Sequence, residues 1–260
     1  MKDQYFGDIN DYRNYGLLRL LCGPGAAASR QNAAVLPKQK VRRPTESPLR
    51  STGSLSLGIA WMLTAPDGRR DGQRIAYLNQ PERYRRFDPP LFDALRDIVL
   101  HHRRRRILCA EEFGLFPGAR FFNDEFTDDP HQREALLPRL LDQFAGCDVI
   151  FFDPDNGLEV KSRPWGRKDS CKYLYWREVE ATFQRGHSVL IFQHFPRVDR
   201  RSYTRVAKRQ LLRRTGAAAV IAFKTSLVVF LLAVQPVHAA RLRERAALVQ
   251  AGWRGQVNVM

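Results

Sequence analysis

The densest chemistry in the chain lies at Asp153-Pro154-Asp155-Asn156-Gly157, directly after Val149-Ile150-Phe151-Phe152. An apolar run this short reads as a strand buried on both faces of a parallel sheet. Open α/β sheets bind ligands just beyond the carboxyl ends of such strands, so these acids fall where an enzyme of that class keeps its reaction. Asp153 can orient a substrate amino or hydroxyl group, or take its proton. Asp155 can cap the loop or join Asp153 around a hard divalent cation. Asn156-Gly157 is mainly a turn signal, with Asn156 available to a substrate.

Other candidates lie at comparable positions. His194 follows a predicted strand, Ser188 to Gln193, and can act as base or metal ligand, or hold a phosphate together with Arg197. Asp8 and Asp11 share one face of a predicted helix among Tyr5, Phe6, Tyr12 and Tyr15. Glu111 closes a predicted strand (107–110) and Asp124 follows another (119–122). Acids at such ends can meet the ribose and adenine of a nucleotide-like cofactor. The loop from Thr64 to Gly72 includes Asp67 and two turn glycines, Gly68 and Gly72. Lys172 and Tyr173 open a predicted helix, where free backbone N–H groups favour anions. Plainer roles compete throughout: an Asx-turn for Asp153, a capped helix for Asp8 and Asp11, a solvated strand end for Glu111.

The elements that must position these residues alternate. A helix over residues 8–22 is capped by Asp8, and residues 23–54 are Gly-, Ala-, Ser-, Pro- and Arg-rich without periodicity, as in a flexible insertion. Residues 55–260 read as one α/β domain. Strands are predicted at 55–63, 74–78, 107–110, 119–122, 148–152, 188–193, 217–223 and 227–234. Helices are predicted from Pro89 and over 131–144, 173–184, 203–214 and 239–250. Such alternation implies a doubly wound, mostly parallel, Rossmann-like sheet. The last two strands are too close together for a parallel crossover and must form an antiparallel hairpin.

Bulk composition narrows the classes. Hydrophobic residues make up 44% of 260, enough for a core and too many for a disordered chain. No apolar run is long enough for a membrane helix, and the N-terminus lacks a signal-peptide core, so a cytoplasmic location without membrane contact is expected. The net charge of +16 favours a nucleic-acid or phosphorylated partner. Only eight of the cations are lysine, so a drifting arginine-rich surface explains the excess equally well. The helix around 200–214 carries Arg201, Arg205, Lys208 and Arg209 on a face suited to phosphates. The run His101 to Arg106 joins a helix end to a strand start and is expected at the end of the sheet opposite the site. Cys22, Cys109, Cys147 and Cys171 lack zinc-like spacing and read as structural.

Two segments resemble an uncharacterised bacterial family: Gln4-Tyr5-Phe6-Gly7-Asp8 through Tyr15-Gly16-Leu17-Leu18-Arg19, and Asp153 to Gly157 with Glu159 and Lys172-Tyr173. The resemblance spans most of the chain outside 23–54. More distantly, the layout is similar to class I S-adenosylmethionine-dependent methyltransferases that modify adenine in ribosomal RNA. These carry Asp-Pro-Pro-Tyr where Asp153-Pro154-Asp155-Asn156 stands. That likeness implies S-adenosylmethionine as cofactor, with Asp8, Asp11, Tyr12, Asp67, Gly72, Glu111 and Asp124 toward it. It implies Asp153, Asp155 and His194 at the reacting group, and Asn156, Lys172, Arg197, Arg201 and Arg205 toward a nucleic-acid or nucleotide substrate. The chain departs from the pattern twice. Asn156 replaces the base-stacking aromatic, and the loop after the first strand lacks the paired small-residue turn. One alternative is a phosphoester hydrolase or nuclease using Mg²⁺ or Mn²⁺ on Asp8, Asp11, Asp153, Asp155, Glu159 and His194. Another is a non-catalytic nucleic-acid-binding protein on a degenerate methyltransferase fold.

Overall fold

The structure is a computed structural model that describes residues 2–23, 53–65, 68 and 72–260. The expected insertion falls almost wholly outside these residues, and so does Asp67. The strands are β1 (Leu57–Ala60), β2 (Arg120–Phe122), β3 (Val149–Phe152), β4 (Gly157–Leu158), β5 (Tyr173–Leu174), β6 (Ser188–His194), β7 (Ala219–Lys224), β8 (Val228–Val234) and β9 (Asn258–Val259). The helices are α1 (Ile9–Cys22), α2 (Pro81–Tyr84), α3 (Pro89–Arg96), α4 (Cys109–Glu112), α5 (Pro130–Gln143), α6 (Trp176–Gln184), α7 (Arg200–Thr215) and α8 (Ala239–Gly252).

Seven strands form one sheet in the order β2-β1-β3-β6-β8-β7-β9. Its first four strands are parallel and the last three antiparallel, so the fold is mixed α/β with a partly antiparallel sheet. The hairpin of β7 and β8 forms as the short connection requires. β4 and β5 make a separate parallel pair.

Side-chain alternation places core on both faces of the sheet. Leu57, Ile59, Val149, Phe151 and Leu190 pack into one cluster with α1, α3 and α8. Ala60, Ile150, Phe152, Val189 and Ile191 pack into the other with α5, α6 and α7. A strand covered on both sides has no polar face, which is why β3 and β8 are apolar at every position.

α1 starts where Asp8 accepts the Asn10 N–H, and it lies against α8. Gly16 is required there. A Cβ at that position would sit 2.0 Å from the ring of Trp253. Asp199 caps α7, and Gly216 ends it in the left-handed conformation.

Several sequence expectations fail for local reasons. Residues 107–110 are not a strand. Cys109 to Glu112 form a helical turn, with Cys109 and Ala110 buried by tertiary packing rather than by a sheet. Residues 74–78 give a 3₁₀ turn at Ala76–Asn79, and the helix expected from Tyr173 starts at Trp176, because Tyr173 and Leu174 pair with β4. The basic run is not remote from the site end. Arg105 donates to the carbonyls of Phe6 and Gln4, fastening the N-terminal segment. No helix among the described residues is long and apolar enough to cross a membrane.

Candidate functional site

The chain leaves β1 for β2 on one side and later returns to β3 on the other side of β1, so strand order reverses at β1. In open α/β sheets the crevice at such a reversal, beyond the carboxyl ends, is the usual ligand position. Asp153 is the first residue past β3, and its N–H still bonds the carbonyl of Ala60 in β1. Thr64, on the loop after β1, donates its hydroxyl to Asp155 at 2.8 Å. Lys2 lies 3.3 Å from the same carboxylate. Three distant stretches of chain therefore meet at this edge.

The electrostatics separate the acids. Asp153 is 3% exposed, and burial, with help from the charge of Asp155, pushes its pKa up to about 7. Burial likewise raises Asp11 well above the ordinary carboxylate range, reinforced by the charges of Asp153 and Asp8. Asp11 still accepts from the Gly7 N–H at 3.1 Å and the Tyr15 hydroxyl at 3.2 Å. Asp155 behaves oppositely. Burial works against its charge, but nearby positive charge, the Thr64 hydroxyl and Lys2 outweigh that and lower its pKa. His194 ends β6 at the same edge with its surface exposed. Crowding by the surrounding chain lowers its pKa, and the charge of Asp155 pulls the other way.

Beside these groups is a polar cleft of about 210 Å³ between the N-terminal segment and the chain around β4 and β5. Of the sequence candidates Asp155, Asn156 and Lys172 line it, together with Lys2, Tyr5, Arg163, Asp169 and Tyr173. Gly157 turns the loop with φ +104, and a Cβ there would meet the Gln193 side chain at 2.4 Å. Gln193 in turn accepts the Leu158 N–H at 2.7 Å. The far wall is pinned by Arg133, 2% exposed, which pairs with Glu178 through two 2.9 Å bonds and donates to the carbonyls of Ser170 and Tyr173. Asp128 accepts from the backbone N–H groups of Asp169 and Cys171.

The remaining candidates are dispersed. Asp8 bonds the N–H groups of Asn10 and Arg74. Tyr12 is fully buried, stacked on Tyr77 with Trp253 nearby. Gly72 packs on Tyr5. Glu111 comes from a helix rather than a strand end, and accepts from Asn123 just past β2. Asp124 pairs with Arg139. Glu159 accepts the Trp176 N–H at the start of α6. Arg197 is exposed beyond β6. Arg201 and Arg205 line a separate groove of about 390 Å³ with Lys208 and Arg209. The alternative metal set is not assembled: among the described residues no three His, Cys, Asp or Glu side chains converge as a cation site.

Lys2 and Arg163 were missed, and Tyr5, Thr64 and Tyr173 were expected in other settings (beside the Asp8–Asp11 helix, at the start of the loop after the first strand, and at a helix start) rather than around this cleft and Asp155. Only the pairing of Gly157 with Tyr173 in the small sheet could have signalled the place of Tyr173, and two-residue strands leave no periodic trace.

No family model matches the chain, and no curated protein matches it. Among solved structures the chain is similar to protein LPL1258 from Legionella pneumophila str. Philadelphia 1, described with the family model DUF519. The alignment covers 98% of this chain and 96% of that one, at 13% identity and a TM-score of 0.42.

Proposed function

We propose that the protein is a methyltransferase-like enzyme that uses S-adenosylmethionine and acts on an amino group of a nucleic acid or nucleotide. The observation that carries this reading is Asp153: a buried carboxyl with its pKa pushed up to about 7, at the carboxyl edge of the sheet where strand order reverses, two residues before Asp155, which lines an open polar cleft. A parallel sheet finished by an antiparallel hairpin, the outline of class I methyltransferases, supports it.

The residues fit the cofactor in part. Glu111, near the end of α4, and Asn123, just past β2, lie together and have the chemistry to take ribose hydroxyls. When bound, the cofactor would supply an electrophilic methyl group. Asp153 accepts a hydrogen bond from the substrate N–H, which fixes the nitrogen lone pair toward the edge of β1. As positive charge develops on that nitrogen, the carboxylate stabilises it and takes the proton. Asp155, held ionised by Lys2 and Thr64, keeps a negative charge at the mouth of the cleft. Arg201 and Arg205 on α7 offer cations to a phosphate backbone.

The loop after β1 favours a second reading, a non-catalytic nucleic-acid-binding protein. Met62 is fully buried with φ 48, where a cofactor-binding turn would present glycine.

Calorimetric titration with S-adenosylmethionine, followed by transfer of labelled methyl to RNA, DNA and nucleotides, tests the proposal. Wild type should bind the cofactor and modify one of these substrates. Asp153→Asn should retain cofactor binding and lose methyl transfer by about 100-fold or more. Absence of cofactor binding, with intact binding to nucleic acid, supports the second reading instead.

A further inference from the structure

Asn156 is exposed in the loop after β3 and brings an amide to the cleft but no ring. The structure places a ring next to it. Tyr173 lies opposite Gly157 in the β4–β5 pair, and the Asn156 N–H bonds the Lys172 carbonyl at 3.0 Å. Register therefore fixes Tyr173 one residue away from the Asp-Pro-Asp-Asn turn, on a wall of the same cleft.

Tyr173 also differs from the tyrosines of the core. The hydroxyls of Tyr12, Tyr15, Tyr77 and Tyr175 each bond a protein acceptor, and Tyr12, Tyr15 and Tyr77 pack on other rings. Among the described residues Tyr173 makes no ring pair and its hydroxyl makes no hydrogen bond, and it is half-exposed. Its backbone, by contrast, is rigidly held, since its carbonyl accepts from buried Arg133. A fixed backbone carrying an unengaged ring is the economy of a stacking platform, because little further ordering is lost on binding.

The charges of the cleft sort in the same way. Two of its cations are matched by its own acids: Lys2 with Asp155, and Lys172 with Asp169 at 2.7 Å. Arg163 is the third. It is exposed, donates to the carbonyl of Ser162, and forms no ion pair among the described residues. Its charge also acts on Asp169, which pairs directly with Lys172, and a guanidinium with no direct carboxylate contact among the described residues suits a phosphate.

We propose that this cleft is a nucleotide-binding site in which Tyr173 stacks on the base, Asn156 reads its edge and Arg163 takes the phosphate. This deepens the proposed function, and rests on it for the role of Asp153. A donor–acceptor amide, a π face and an unpaired cation converge within about 210 Å³, a combination that a purely apolar ligand would not satisfy.

The test uses the full chain without S-adenosylmethionine. Calorimetry with the four nucleoside 5′-monophosphates, the matching nucleosides and ribose 5-phosphate reports base and phosphate separately. At least one monophosphate should bind, and its nucleoside and ribose 5-phosphate should both bind more weakly. Tyr173→Ala should weaken that monophosphate about tenfold or more, while Tyr173→Phe retains it, which a merely structural tyrosine in a wall would not show. Arg163→Ala should reduce the monophosphate to the affinity of its nucleoside. The proposal is overturned if no monophosphate binds, or if Tyr173→Ala and Arg163→Ala, folded by circular dichroism, bind as wild type does. Since cofactor is absent from every arm, failure of methyl transfer leaves these results standing. Cofactor binding with no effect of Tyr173 or Arg163 overturns this inference alone.

Discussion

The start of α1 and the loop after β3 each present two carboxylates close together in sequence, and they use them differently. Asp8 and Asp11 are turned back onto their own chain, where they take the N–H groups of Asn10, Arg74 and Gly7 and the Tyr15 hydroxyl. Asp153 and Asp155 stand at a sheet edge, the first buried with its pKa pushed up to about 7 and the second lining an open cleft with its pKa lowered. Residue type and spacing are nearly the same in both places. What differs is the kind of partner: a helix start offers unpaired backbone N–H groups, whereas Asp155 at the sheet edge is held by the side chains of Thr64 and Lys2.

The sharpest challenge to this contrast lies in the far wall of the cleft, which is held by charges used structurally, as those of α1 are. Arg133 is enclosed by the rings of Phe126, Trp165 and Tyr175 and pairs with Glu178. Arg133→Met leaves a buried carboxylate without its partner and should cost about 3–5 kcal/mol in urea unfolding. The double variant Arg133→Met/Glu178→Leu should recover much of that loss, because no charge is then stranded. A single variant as stable as wild type would mean that the wall does not depend on this pair.

Asp153 should behave in the opposite sense. Its folded pKa of about 7 lies above the 3.8 of an ordinary aspartate, so the folded protein holds a proton that the unfolded chain releases earlier. The associated stability is present below about pH 4 and is lost as pH rises toward and through 7. Asp153→Asn cannot lose it. The variant should therefore gain on wild type between pH 5 and pH 8, by on the order of 2–4 kcal/mol. Unfolding curves at the two pH values check this, and a difference that stays constant between them would show that Asp153 is not held protonated by burial. Methyl transfer should move the other way, rising through pH 7 as the carboxylate becomes available to accept.

How much of this was legible in the sequence depends on range. β3, β6, the β7–β8 hairpin and α1 with its Asp8 cap followed from apolar period and capping chemistry, which are local. Asp153 was legible because a buried strand announces its own carboxyl end. Residues 107–110 misled because Ile107, Cys109 and Ala110 are buried in the core cluster on one face of the sheet without joining a strand, and burial alone has no period over four residues. The cleft walls were illegible for a different reason. Lys2 meets Asp155, Arg133 meets Glu178 and Tyr173 meets Gly157 across long stretches of chain, and no local signal encodes such meetings.

The smallest expected effect tests the comparison from the α1 side. Asp8 takes two backbone N–H groups, one within its own helix and one from Arg74, so Asp8→Ala removes a cap and unties the 72–74 stretch from α1. A lost cap costs about 0.5–2 kcal/mol, and the second bond places this variant toward the upper part of that range. Since Asp8 touches neither the cleft nor Asp155, nucleotide binding at saturating protein stability should not change. Asp8 does contribute to the raised pKa of Asp11, so the coupling within the buried acids should relax slightly. A stability loss without a binding loss would place Asp8 with the structural acids. A binding loss larger than the stability loss would move the boundary between the two regions, and make the start of α1 part of the site.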